Sequence, residues 1–188
     1  YNETMSRAVA VLLAAGGGTR FHGSTHKLLA PLHGSPVYRW AIQHALEAGL
    51  EVWVITGAAA LEPVEGVSFV HNPDWSTGQA SSLQCAVAHA RHQGVRAITV
   101  GLADQPFVTP DTWRALSSSD SPIAVANYEG VRGNPVHLDS AVWDLLPREG
   151  DAGARNLLAQ RPDLVADIAC DGSSADIDTL EDLEQWNS

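Results

Sequence analysis

The chain has 188 residues, with 22 acidic against 11 basic side chains and a formal charge of −11 at pH 7. A surface that acidic repels a phosphate polymer, so DNA and RNA are not expected as partners. Its apolar content of 45% and charged content of 18% suit a packed protein, and its length suits one domain over residues 1–188.

No apolar run reaches the roughly 18 residues a membrane span needs, so no membrane is expected. Residues 1–7 lack the apolar stretch of a signal peptide, and a cytoplasmic location is expected. Met5 is the only methionine, so Tyr1 to Thr4 read as residues ahead of a native start.

Residues 8–14 form a near-continuous apolar run, the pattern of a strand covered on both faces. Gly16, Gly17 and Gly18 follow, then Arg20 and Phe21, and the stretch closes on Lys27, the single lysine of the chain. Glycine lets backbone N–H groups approach a ligand closely, and cations offset phosphate charge. The loop therefore reads as a cradle for a triphosphate. A general preference for arginine explains why lysine is scarce, but not why the one lysine stands here. The loop is not a Rossmann fingerprint, because Phe21 stands where a third glycine is required. Gly18 and Gly23 have Walker A spacing, yet Ser24 and Thr25 follow where Lys-Ser/Thr is needed. His22 and His26 lie in the same loop, within reach of a phosphate.

Residues 37–48 carry helical periodicity, with Pro36 in the first turn and Gly49 as a stop. Strands are expected at Glu51–Thr56 and 67–70. A polar loop from Asn72 then opens a helix over Gln79–Gln93, stopped by Gly94. Ser81 and Ser82 stand where hydroxyls and N–H groups meet a phosphate or ribose, an ordinary capped turn being the alternative. The strand Ala97–Leu102 has Asp104 just past its end, a carboxylate suited to Mg²⁺, or else a simple turn residue.

Thr109 as N-cap and Pro110 in the first turn open a helix over 110–116. Strands follow at 123–126 and 135–138, the second running against its neighbours, then helices at 141–146 and 154–158. A strand at 165–168 leads to Asp176-Ile177-Asp178 and a closing helix over 180–186. Asp176 and Asp178 alternate along an extended segment, so either completes a metal site with Asp104. Helix capping is the other reading of Asp178. Cys85 and Cys170, far apart and without metal-ligand spacing, read as reduced thiols.

Strands alternating with helices imply an α/β fold with a mostly parallel sheet. Ligands bind outside the carboxyl ends of such strands. The glycine loop, the Asn72–Gln79 segment and Asp104 all fall at such ends.

These residues resemble the nucleotidyltransferases that mature the molybdenum cofactor. The likeness is greatest to the molybdenum cofactor cytidylyltransferases, within the molybdopterin-guanine-dinucleotide-type group. The segments that carry it are Leu13 to Phe21, Lys27 to Pro31, Asn72 to Leu83, Leu102 to Pro106, Arg132 to Pro135, Gly150 to Arg155, and Asp176 to Leu183. The chain departs from the pattern in three places. Two extra residues separate Arg20 from Lys27, Gly18 replaces a serine, and Asn134 replaces a histidine.

The resemblance implies a three-layer Rossmann-like fold with helices on both faces of the sheet. It implies transfer of a nucleoside monophosphate from CTP or GTP, CTP preferred, to the terminal phosphate of molybdopterin. A molybdoenzyme acceptor is the implied protein partner. Nucleotide binding falls to Leu13, Ala14, Ala15, Gly16, Gly17, Gly18, Lys27, Asn72, Ser81 and Ser82. Catalysis falls to Lys27, Arg20 and Asp104. Mg²⁺ falls to Asp104 with Asp178 or Asp176, and the pterin side to Arg132, Gly133, Asn134 and Pro135. The alternatives are another phosphorylated acceptor, or a non-catalytic carrier of the cofactor.

Overall fold

The computed structural model describes residues 8–22 and 25–188. The readings on Gly23, Ser24 and the chain start at Tyr1 to Met5 lie outside them. In chain order the elements are β1 (Val9–Ala14), β2 (Pro31–Leu32), β3 (Ser35–Pro36), α1 (Val37–Glu47), β4 (Glu51–Thr56) and β5 (Val67–His71). Then come α2 (Gln79–Gln93), β6 (Ala97–Leu102), α3 (Pro110–Ser117), β7 (Ile123–Tyr128), β8 (Val131–Asp139), α4 (Arg155–Gln160), β9 (Val165–Ala169) and α5 (Leu180–Asn187).

Seven strands form one sheet in the order β5-β4-β1-β6-β8-β7-β9. The β5-β4-β1-β6 half is parallel throughout, whereas β8 runs antiparallel to both β6 and β7. All six residues of β1 are buried, because helices cover both faces of the sheet. Val9, Val11 and Leu13 pack with Leu83, Ala86, Val87 and Ala90 of α2. Ala10, Leu12 and Ala14 pack with Tyr38, Ala41, Ile42 and Ala45 of α1 and with Trp113 of α3. Each large aliphatic side chain buried this way contributes about 1.5–3 kcal/mol. Gly101 in β6 is needed for this packing. A Cβ there would stand 2.7 Å from the ring of Trp113, which is fully buried.

The helix limits follow local chemistry. Thr109 caps α3 through its hydroxyl, which accepts from the Thr112 N–H, and Pro110 occupies the first turn. Gly94 ends α2 in the left-handed region at φ 69°.

Several expectations are revised. Residues 140–145 form a 3₁₀ helix rather than an α-helix. That segment is tied down at its start and middle: the Ser140 N–H donates to the Arg96 carbonyl, and the Trp143 indole donates to the Leu138 carbonyl. β7 and β8 are longer than expected and meet in a tight hairpin. Glu129 (φ 53°) and Gly130 (φ 94°) take the two positive φ values such a turn requires. Pro36 precedes α1 as its N-cap instead of standing inside the first turn. Among the described residues no helix is long and apolar enough to cross a membrane.

From β1 the chain winds out through β4 to β5, then crosses back to place β6 on the other side of β1. The carboxyl ends of β1 and β6 therefore flank the topological switch point, where a crevice opens.

Candidate active site

A cleft of about 560 Å³ opens at that switch point. Its floor is Leu13 to Ala15 from the end of β1, and its rim is Gly16, Gly17, Gly18, Thr19 and Arg20. Leu102 and Asp104 enter from the end of β6, Trp75, Ser76, Gly78, Gln79 and Ser82 from the segment that opens α2, and Asp151 and Asp178 from distant loops.

The glycine loop is held from both sides. Phe21 is buried among Ala30, Leu32, Val37, Ile177 and Leu183, so the residue that breaks the Rossmann pattern is the loop's anchor. His26 is a strut. Its Nδ1 accepts from the Leu28 N–H at 3.2 Å, which leaves the Nε2 proton to be donated to the Gly16 carbonyl at 2.9 Å. Gly18 has φ 60°, and a Cβ there would stand 3.0 Å from that His26 nitrogen. Gly57 at the end of β4 supports the same wall. A Cβ on it would meet Trp75 at 2.6 Å and the Ala15 carbonyl at 2.7 Å.

Lys27 sits in a 3₁₀ turn anchored by buried Leu28. Its ammonium donates to Asp104 Oδ2 at 2.5 Å and to Asp178 Oδ1 at 2.6 Å. Burial works against the charged lysine, but the two facing carboxylates outweigh it and hold its pKa above the ordinary value. Arg20 reaches the other oxygen of Asp178 at 3.1 Å, with its side chain 80% exposed. Asp178 does not cap α5. Thr179 does so, in a reciprocal pair with Asp182, which leaves the Asp178 carboxylate for the cleft.

Asp176 has a different environment. Its carboxylate accepts from Gln105 Nε2 at 2.7 Å, and the same amide group donates to the Ser174 carbonyl at 2.9 Å. Burial, then nearby Asp104, push the Asp176 pKa up, and the Gln105 bond opposes them. Gln105 is 5% exposed, and its Oε1 has no hydrogen-bond partner. Asp104 and Asp178 thus face one cation, while Asp176 stands beside them outside the cleft lining.

Asn72 and Ser81 also lie outside the lining. Asn72 is buried, and its amide donates to Ser81 Oγ at 2.9 Å and Ser82 Oγ at 3.1 Å, which fixes the start of α2. Arg132, Gly133, Asn134 and Pro135 line no part of the cleft. Arg132 makes a two-bond ion pair with Asp167 at 2.7 and 2.6 Å, and the Asn134 carbonyl accepts from the Tyr128 hydroxyl at 2.7 Å.

Sequence reasoning gave no role to Trp75, Gln79 or Asp151, all of which line the cleft. Asp151 accepts from the Gln79 N–H at 3.3 Å, and the Gly150 carbonyl from the Ala80 N–H at 2.9 Å, so this loop covers the start of α2. The Gly150-Asp151 motif was visible in the sequence, but its contact with α2 is long-range and carries no local signal.

The family model for the MobA-like NTP transferase domain matches residues 10–165. The chain belongs to the MobA-like NTP transferase family. It is a nucleotidyltransferase of that family. Nicotine blue oxidoreductase of Paenarthrobacter nicotinovorans is 35% identical, over 92% of this chain and 93% of its own. The purine catabolism protein PucB of Bacillus subtilis is 30% identical, over 94% of each chain. Among solved structures, Rv0371c of Mycobacterium tuberculosis superposes with a TM-score of 0.84 at 28% identity, over 98% of this chain and 99% of that one. A second structure of Rv0371c is of its complex with manganese.

Proposed function

We propose that this MobA-like enzyme transfers CMP, in preference to GMP, from a nucleoside triphosphate to the terminal phosphate of molybdopterin. Support comes first from one observation: a glycine cradle whose mouth holds a lysine between two carboxylates. Phosphoryl chemistry of this kind depends on positioning and charge neutralisation more than on covalent help.

The divalent-metal reading fits the residues present. Asp104 and Asp178 already flank a cation, and since no group of three or more His, Cys, Asp or Glu suited to a metal occurs among the described residues, the chain would supply only these two carboxylates. Two carboxylates, with phosphate oxygens and waters for the rest, suit Mg²⁺. The manganese complex of Rv0371c points the same way for a relative. Asp104 and Asp178 would hold the ion, which would neutralise phosphate charge and polarise the α-phosphate. Asp176 stands beside them, its carboxylate held by Gln105.

In the transfer, an acceptor phosphate oxygen bonds to the α-phosphorus, and the bond from that phosphorus to the α,β-bridging oxygen breaks. Pyrophosphate leaves with the electron pair. Backbone N–H groups of Gly16 to Gly18 orient the triphosphate, and Lys27 and Arg20 stabilise the charge that grows on the leaving group. The base rests near Leu13-Ala14-Ala15-Gly16, the form that favours CTP by resemblance. Arg132 to Pro135 lie on β8, which runs antiparallel beside β6, so they would meet an acceptor that extends past Asp104.

The test is pyrophosphate release with molybdopterin and each of CTP, GTP and ATP. CTP is expected to be the best donor, and faster release with GTP or ATP sinks the base assignment. The name of the 35% relative favours a second reading, in which the same cleft serves a redox reaction, with a nicotinamide dinucleotide as the proposed electron carrier. That reading requires reduced nicotinamide to be consumed with no pyrophosphate released.

A further inference from the structure

We infer that Lys27 is a tethered counter-ion that keeps a divalent metal out of the Asp104–Asp178 site until a triphosphate arrives. The inference rests on the reading that these two carboxylates hold the metal. Both Asp104 Oδ2 and Asp178 Oδ1 are within 2.6 Å of one ammonium nitrogen. A divalent ion bound to the same oxygens needs ligand distances of about 2.0–2.1 Å. The nitrogen and the ion therefore claim the same point between the same two atoms. Binding of one excludes the other.

Charge makes the exclusion selective. Lys27 and Arg20 together offset the charges of Asp104 and Asp178, which weakens the pull of that pair on a free cation. A bare metal ion would have to expel an ammonium whose side chain is 14% exposed from two short bonds to carboxylates. A metal–triphosphate complex brings the anions that Lys27 and Arg20 need. Lys27 then exchanges carboxylates for phosphate, and the freed oxygens take the metal. Arg20, on an exposed side chain, has room to turn with it. The single lysine would thus couple metal occupancy to substrate occupancy, so that the metal loads together with nucleotide.

Mn²⁺ titration followed by electron paramagnetic resonance tests this on the intact protein, with and without a CTP analogue whose α,β-bridge is methylene. The wild type is expected to bind free Mn²⁺ weakly. Lys27→Met is expected to bind free Mn²⁺ at least tenfold more tightly than wild type, although it binds the analogue less well. Lys27→Arg restores a cation and is expected to keep free Mn²⁺ weak. Circular dichroism checks each variant, and Lys27→Gln replaces the methionine variant if that one is unfolded. Equal or weaker free-Mn²⁺ binding by the neutral variant overturns the exclusion, and the metal reading survives if the analogue still brings Mn²⁺ to the wild type. No Mn²⁺ binding in any protein, with or without the analogue, overturns both.

Discussion

The two halves of the sheet treat positive charge in opposite ways. At the parallel half, Lys27 and Arg20 meet carboxylates at an open cleft, where the triphosphate of the proposed reaction would replace those partners. At the antiparallel half, Arg132 lies flat on Asp167 at the surface, in two near-ideal bonds and outside the cleft. Surface pairs of this kind contribute about 0–1 kcal/mol, so the second pair ties the β7–β8 hairpin to β9 and does little more. The contrast is between a half-buried ammonium shared by two cleft carboxylates and a surface guanidinium with a single fixed partner. In the proposed function, nucleotide handling falls at the strand ends of β1 and β6, and acceptor contact on the β7–β8 side.

The sharpest way to break this comparison is to remove one cation from each half. Lys27→Ala is expected to lower pyrophosphate release about 10²–10³-fold, the usual cost of losing one group that stabilises developing charge. Arg132→Ala is expected to leave the KM for the nucleotide unchanged and to raise only the KM for molybdopterin. Its stability should change by no more than about 1 kcal/mol in urea unfolding. A large rise in nucleotide KM for Arg132→Ala would erase the division between the halves.

Two glycines separate packing from ligand contact within the parallel half. Gly57→Ala adds a methyl against Trp75 and the Ala15 carbonyl, at 2.6 and 2.7 Å. Overpacking of that kind costs about 1–3 kcal/mol, visible as a lower melting temperature. Gly16 has open space around its would-be Cβ and no positive φ. Gly16→Ala should change stability by less than about 0.5 kcal/mol, yet weaken nucleotide binding in calorimetry, because the methyl enters the cradle. Equal nucleotide affinity in Gly16→Ala and wild type would remove the first glycine from the cradle.

What the sequence made legible follows the same line. The parallel half could be read because its cues are local: buried apolar runs, glycines at strand ends, and Asp104 directly after β6. Capping chemistry was partly legible, and the structure resolves the ambiguity at Asp178 by giving the cap to Thr179. The Lys27–Asp178 bond joins residues 151 positions apart, and no periodicity marks such a meeting. The His26 strut and the Gln105 clamp were hidden for a related reason, since each acts through backbone carbonyls that any residue supplies. The β7–β8 hairpin was missed because Glu129-Gly130 is a weaker turn signal than Asn-Gly or Asp-Gly.

The smallest expected effect is a pH dependence, and it tests whether Lys27 is paired in solution as the distances imply. The Lys27 pKa is raised in the folded protein against an ordinary 10.5, the two carboxylates winning over burial. A raised folded value means that the folded state holds this proton more tightly than the unfolded one. The stability it contributes is fully present below 10.5 and is lost as the pH rises through the folded value. Asp176 runs the other way at the acid end. Its pKa is also raised, mainly by burial, so its linkage removes stability as the pH climbs from the unfolded carboxylate value through the folded one. The two windows do not overlap, and the alkaline one reports Lys27 alone of this pair. Melting temperatures of wild type and Lys27→Met should therefore differ by a constant amount from pH 7 to 9, with the wild type's relative advantage shrinking above pH 10.5. A difference that stays flat through the alkaline range would mean that the ammonium is not held between Asp104 and Asp178, and the contrast with the surface pair at Arg132 would lose its basis.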